Sequence, residues 1–356
     1  MRAKPLSTAD RLLDWYDRHA RDLPWRAKPG ERADPYRVWL SEVMLQQTTV
    51  AAVGPRFRAW VARWPDVASL AAADEADMMA AWAGLGYYAR ARNLVLTARA
   101  VVGEHRGAFP RDEAGLRRLP GLGAYTAAAV AAIAFGERAV VVDANVERVV
   151  ARLRAIGAPL PGARGAIRAA AGAITPVERA GDFAQGMMDL GATVCTPRAP
   201  RCLLCPLRGE CAGFATGVPE RFPVKAAKRA KPQRYGTVFW VERVAGFSPE
   251  GAHAREVLLV RRPARGLLGG MRALPTGPWV DAAPGLEGAP LAGDWRVLPE
   301  VARHGFTHFD LQLALATVRV EGHGPALDGE WWPVADLPAA GLPTVFARAA
   351  DMMRGS

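Results

Sequence analysis

Along the first 216 residues, apolar positions recur every three to four residues, the period of an amphipathic helix. The pattern runs through RLLDWYDRHA, YRVWLSEVMLQQTTVAAV, FRAWVARW, ADEADMMAAWAGLG and ARNLVLTARAVVGEH. Pro35, Pro55, Pro65, Gly84, Gly86, Pro110 and Pro120 punctuate it as caps and breakers. In LPGLGAYTA at 119–127, Pro120, Gly121 and Gly123 forbid a continuous helix, and the alanine-rich run AAVAAIAF after them favours one. A tight glycine-bearing turn therefore opens a helix, and Tyr125 sits at its start. From residue 235 the pattern changes. TVFWVERV, EVLLVRR, DLQLALATVRV and EWWPV are rich in β-branched and aromatic residues with partial alternation, and PTVFARAADMM closes the chain as a helix.

These periods predict a mainly α domain over 1–216, a solvated linker over 217–234 and an α+β domain over 235–356. The linker reading rests on its three prolines and its many Lys and Arg residues. A chain of 356 residues is comfortable for two such domains. It has no apolar run of transmembrane length, and its N-terminus is amphipathic rather than signal-like, so no membrane partner and a cytoplasmic location are expected. Its 46 Lys and Arg residues exceed its 35 Asp and Glu, giving a net charge of +11. Such a surplus suits a polyanion, nucleic acid foremost.

Four cysteines fall within seventeen residues as C-x6-C-x2-C-x5-C, at Cys195, Cys202, Cys205 and Cys211. So tight a group in a large chain without a secretion signal points to metal rather than disulfides. Zinc and a single [4Fe–4S] cluster both take four thiolates; the lone C-x2-C favours the cluster. Arg198, Arg201 and Arg208 lie between the thiols, placed for phosphate contacts. The P-G-x-G turn with Gly121 and Gly123 can present backbone N–H groups to a phosphate. Asp143, in VVVDANVERVV, is either a helix N-cap or a carboxylate delivered to a cleft, with Asn145 two positions on. Glu42, among Val38, Trp39, Val43 and Met44, lies on one wet stripe or is buried; buried, it becomes a proton donor near neutral pH.

Taken together, LPGLGAYTA, VDANVERV, SEVMLQQT, GLGYYARARN and the cysteine spacing resemble the helix-hairpin-helix DNA glycosylases of the endonuclease III superfamily, most closely the adenine-specific MutY type. The resemblance covers roughly residues 10–215. It implies a six-helix barrel at about 25–130, and a lobe of 1–24 plus 131–216 carrying one [4Fe–4S] cluster. Where bifunctional relatives carry a Schiff-base lysine, this chain has Tyr125, which implies base removal without strand cleavage. Glu42 would protonate the adenine ring and Asp143 would stabilise the oxocarbenium sugar, electrostatically or by a transient covalent bond, with Tyr125 and Asn145 positioning them. Gln185 matches a position that touches the extruded adenine, and Trp25 and Arg26 match the family pattern, either bordering the adenine pocket or simply packing. Gln47, Thr48, Leu85 and Tyr87 match those that wedge into the base stack or contact the mismatch.

The segment RRPARGLLGGMRALP resembles the MutT-like, Nudix-fold C-terminal domain of the same glycosylases. TGPWVDAAPGLEG follows it where a Nudix hydrolase has its glutamate-rich magnesium helix, so the fold is expected without the hydrolase activity. Phe306, Thr307 and His308, in HGFTHFD, match the loop that reads 8-oxoguanine. The implied partner is duplex DNA holding A:8-oxoG or A:G mispairs, met by a monomer in a bacterial cytoplasm. A thymine or uracil mismatch glycosylase is the nearest rival, opposed by Glu42 and the C-terminal domain.

Overall fold

The computed structural model describes residues 6–28, 31–82, 85–87, 89–226, 230–247, 253–263, 266–321 and 327–354. Gly84 and residues 227–229 of the predicted linker lie outside them. The chain divides into two compact units, 1–227 and 228–356. No helix among the described residues is long and apolar enough to cross a membrane.

The first unit is helical: α1 (Thr8–His19), α2 (Pro35–Leu45), α3 (Val50–Arg63), α4 (Val67–Ala71), α5 (Glu75–Ala81), α6 (Ala89–His105), α7 (Glu113–Leu116), α8 (Ala124–Phe135), α9 (Ala144–Leu153), α10 (Arg164–Ile174), α11 (Ala180–Thr193) and α12 (Ala212–Ala215). Local chemistry sets the starts. Ser7 and Asp10 form a reciprocal capping box on α1, and Asp34 caps α2 with Pro35 in its first turn. The pattern read as one helical stretch over 36–53 is broken in two. Gln47 takes a left-handed backbone (φ 58°), and the Thr49 hydroxyl accepts the Ala52 N–H to start α3 afresh. Pro55, expected to punctuate, lies inside α3 near its first turn.

Helix α8 runs through the middle of this unit. Thr126 to Ala132 are all buried, and it packs against α2, α7 and α11. Its small side chains permit close approach. A Cβ on Gly181 of α11 would lie 2.5 Å from the Ala132 carbonyl oxygen, so only glycine fits that crossing. Helix α11 also packs on α1 and α9, which ties the N-terminal helix to the later ones.

Most described residues of the predicted linker are exposed, and a few anchor it. Phe222 is buried, its carbonyl accepts Arg152 Nε (3.1 Å), and the Val224 carbonyl accepts the Leu160 N–H (2.9 Å). Its last two residues, Gln233 and Arg234, already belong to a strand.

The second unit is a mixed sheet: β1 (Gln233–Phe247), β2 (His253–Arg261), β3 (Arg272–Ala273), β4 (Arg296–Gly305), β5 (Asp310–Val320) and β6 (Glu330–Pro333), with helix α13 (Thr344–Arg354). The order is β3-β2-β1-β5-β4, with β6 also on β2. Central β1 pairs in parallel with β5 from Gln233↔Asp310 to Arg243↔Val320; the other pairs are antiparallel. Helix α13 packs on β1, β4 and β5, burying Phe346 and Ala349. Residues 274–295 run as turns and extended chain.

Candidate active site

Helix α2 is the most deeply buried of the helices that carry chemistry. Tyr36 and every residue from Val38 to Met44 are buried, Glu42 among them at 7% exposure. Glu42 is thus the buried alternative, not a wet stripe. Burial raises its carboxyl to about 7 from the usual 4.5; Asp143 nearby adds to the rise, while Tyr125 and Arg26 oppose it. The Tyr125 hydroxyl, from the first turn of α8, donates to Glu42 Oε2 at 2.6 Å. Burial and the two neighbouring carboxylates push the tyrosine hydroxyl well above its ordinary value, so it stays a donor.

Asp143 reaches the same place from the N-cap of α9. Its Oδ1 accepts the Val146 N–H (2.7 Å) and its Oδ2 accepts Asn145 Nδ2 (2.8 Å). It is therefore both the cap and a carboxylate acting on Glu42 and Tyr125. Asn145 is held in turn: its Oδ1 accepts Arg148 Nη2 (2.9 Å), and a Cβ on Gly191 would lie 2.6 Å from its own Cβ. Arg148 continues to the Gly191 carbonyl (2.8 Å) and, through Nε, to the Cys195 carbonyl (2.8 Å).

Glu42 opens on a pocket that Trp25, Arg26, Ser41, Gln185 and Arg21 also line. Trp25 is buried edge-on against Phe57 (5.5 Å). Arg26 makes a bidentate pair with Asp189, Nη1 to Oδ2 at 2.6 Å and Nη2 to Oδ1 at 2.8 Å.

The turns expected to meet DNA are partly exposed. Gly123 caps α8 without a side-chain bond, and Gly121 (φ 75°) lies so close to Asn93 that a Cβ would meet its side chain at 2.5 Å. Gln47 and Tyr87 share left-handed backbones and approach each other, the Tyr87 hydroxyl lying 3.4 Å from Gln47 Oε1. Thr48 turns inward to donate to the Gln46 carbonyl (3.1 Å). Leu85, expected as an apolar wedge, is buried in the core at 5% exposure; among the described residues of this turn, Tyr87 is the large side chain that stands out, at 61%. Chain reversal at Gly86 puts Leu85 against the helices and leaves Tyr87 outside.

Arg90 escaped the sequence reading. It is buried, and it donates to the carbonyls of Val43 and Met44 at the end of α2 and of Leu85 and Gly86 in the turn. Its guanidinium lies 5.2 Å from the Trp82 ring.

The four cysteines are half-buried free thiols on a compact loop. Burial raises those of Cys202, Cys205 and Cys211, Cys205 to about 12, and the neighbouring sulfurs add to it. Donors are aimed at sulfur: Arg152 Nη1 at Cys195 Sγ (3.3 Å) and the Phe214 N–H at Cys211 Sγ (3.4 Å). Such donors suit thiolates bound to metal. Among the described residues, no three Cys, His, Asp or Glu side chains converge on one metal ion.

In the second unit Phe306 is half-buried in an aromatic cluster, with Trp279 at 5.6 Å, Phe309 at 4.9 Å and His304 at 4.5 Å. Thr307 and His308 are exposed beside it, and Lys231 Nζ donates to the Phe306 carbonyl (2.6 Å).

Residues 40–167 match the HhH-GPD superfamily of base excision DNA repair proteins, and residues 251–352 match the NUDIX domain. An adenine DNA glycosylase of Homo sapiens is 33% identical over 97% of this chain and 73% of its own length. One of Mycolicibacterium smegmatis is 45% identical over 59% of this chain and 72% of its own. Among solved structures, a thermostable thymine-DNA glycosylase superposes with a TM-score of 0.52 and 30% identity, covering 58% of this chain and 95% of its own.

Proposed function

The chain belongs to the adenine DNA glycosylases, DNA N-glycosylases of base excision repair, and from that footing we propose that it is monofunctional. It removes adenine mispaired with 8-oxoguanine or guanine in duplex DNA by hydrolysis and leaves the strand intact. The observation that carries this reading is the 2.6 Å hydrogen bond from Tyr125 to a Glu42 held near pKa 7 at the pocket wall. Tyr125 stands where a lyase would need a lysine, and a phenol cannot form a Schiff base.

The extruded adenine enters the pocket lined by Trp25, Arg26 and Gln185. Glu42, whose burial lets it carry a proton near neutral pH, gives that proton to the imidazole ring of the base, which then leaves neutral. Asp143, held by two N–H donors, stabilises the oxocarbenium sugar until water completes the hydrolysis. Asn145 orients Asp143, and Tyr125 keeps Glu42 aimed. Gln47, Thr48 and Tyr87 meet the gap left in the stack, and the Gly121–Gly123 turn holds a phosphate.

Cys195, Cys202, Cys205 and Cys211 hold one [4Fe–4S] cluster. The lone C-x2-C and the N–H donors aimed at the Cys195 and Cys211 sulfurs suit such a cluster. Bound there, it would cross-link the loop that offers Arg198, Arg201 and Arg208 to phosphates. Phe306, Thr307 and His308 read the 8-oxoguanine, and the Nudix-like unit recognises the lesion without hydrolysing nucleotides. The enzyme works as a monomer.

The test is incubation of the purified protein with duplexes holding A:8-oxoG, A:G, T:G and U:G, scored for alkali-labile sites with and without borohydride. Adenine excision with no trapped adduct is expected. Failure to excise adenine, or strand cleavage without alkali, overturns the reading. Affinity for duplex should fall steeply with salt.

A further inference from the structure

Asp189 is fully buried on α11, yet nothing above gives it a part in the chemistry. Both its oxygens are saturated by two pocket arginines. Oδ1 accepts Arg21 Nε (2.5 Å) and Arg26 Nη2 (2.8 Å); Oδ2 accepts the Arg21 backbone N–H (3.0 Å) and Arg26 Nη1 (2.6 Å). Arg26 is thereby clamped with its side chain only 10% exposed and its guanidinium 5.8 Å from the Tyr16 ring. A buried carboxylate used only for packing would be a poor device, since its desolvation consumes most of what the ion pairs return. Its position has a clearer consequence. Arg21, Arg26 and Glu42 line one pocket.

We infer that Asp189 is a positioning residue of the glycosylase reaction: it fixes Arg26 in the pocket wall and offsets part of its charge beside Glu42, keeping that acid loaded. The inference rests on the assignment of Glu42 as the proton donor. The groups that act on Glu42 come from several elements. Tyr125 reaches it from α8, Asp143 from the cap of α9 and Arg26 from the segment before α2, while Arg90 from α6 binds the carbonyls of Val43 and Met44 just beyond it. Of these, Arg26 favours the carboxylate form, and Asp189 is its counter-charge.

The test is the pH dependence of single-turnover adenine excision by the full-length protein, for wild type, Asp189→Asn, Arg26→Gln and the double variant. Asparagine keeps the shape of Asp189 and removes its charge. The alkaline limb of Asp189→Asn should move down by roughly one pH unit, that of Arg26→Gln should move up, and the double variant should return close to wild type. If Asp189→Asn does not fold, the upward move in Arg26→Gln carries the test, and an unmoved limb there overturns the inference. An Asp189→Asn enzyme that loses thermal stability but keeps the wild-type limb overturns it too, leaving Asp189 a structural ion pair. A wild-type enzyme with no alkaline limb near neutral pH instead removes Glu42 as the acid, which is a failure of the earlier reading.

Discussion

Glu42 enters the site from the middle of α2, with buried neighbours on both sides and one hydroxyl for a partner. Asp143 enters it from the N-cap of α9, half-exposed, with a backbone N–H and a side-chain amide on its two oxygens. The two regions hold the same functional group in different surroundings. An apolar helix interior makes the charged form costly, so Glu42 keeps its proton to about pH 7. Asp143 instead sits at a helix N-terminus with two N–H donors on its oxygens, surroundings that suit the stabilising role proposed for it. The proposed division into acid and stabiliser matches where each carboxylate is mounted.

The comparison breaks first at Glu42. Glu42→Gln keeps the shape and an acceptor for Tyr125 but removes the proton, and excision should fall by roughly 10²- to 10⁴-fold with duplex binding retained. The same variant should change the stability curve. Between the ordinary value of 4.5 and the folded value of about 7, the folded state binds more protons than the unfolded one, so wild-type stability falls as pH rises through that window. The loss is roughly 3 kcal/mol by pH 8, and denaturant titrations of Glu42→Gln should lack it.

Next comes Asp143→Asn. Asparagine caps helices as well as aspartate does, so the melting temperature should barely change. Excision should drop roughly 10²-fold because the developing positive charge loses its partner. A smaller effect is expected at Tyr125. Tyr125→Phe removes a hydrogen bond that holds the Glu42 carboxyl down, so the alkaline limb of the pH–rate profile should move up. The rate at low pH should change by only about tenfold, the worth of one hydrogen bond. A limb that moves down would mean that Tyr125 does not stabilise the carboxylate.

The local part of this architecture was legible in the sequence. The turn before α8, the cap at Asp143 and the helix bearing Glu42 are each written in a dozen adjacent residues. Features set by distant partners were not. Asp189 meets Arg26 across 163 positions, and Arg90 meets Val43 across 47, so neither pairing leaves a mark in any short window. Strand β4 was missed for a different reason. It lies at the sheet edge, only Leu298 and Ala302 are buried, and Pro299 falls where its register with β5 shifts, which erases alternation. The break between α2 and α3 was hidden because Gln46–Thr49 carries no glycine or proline; a left-handed Gln47 and a threonine cap make it instead. Leu85 and Tyr87 show the limit of matching positions alone, since the side chain in contact with solvent depends on which way the turn faces.

The central claim is that Glu42 is a loaded acid at neutral pH. Its most direct measurement is a 13C NMR titration of the glutamate side-chain carboxyls in the full-length protein, with the Glu42 resonance assigned by its loss in Glu42→Gln. A midpoint near 7 is the expected result; a midpoint at the ordinary carboxylate value of 4.5 would contradict the account.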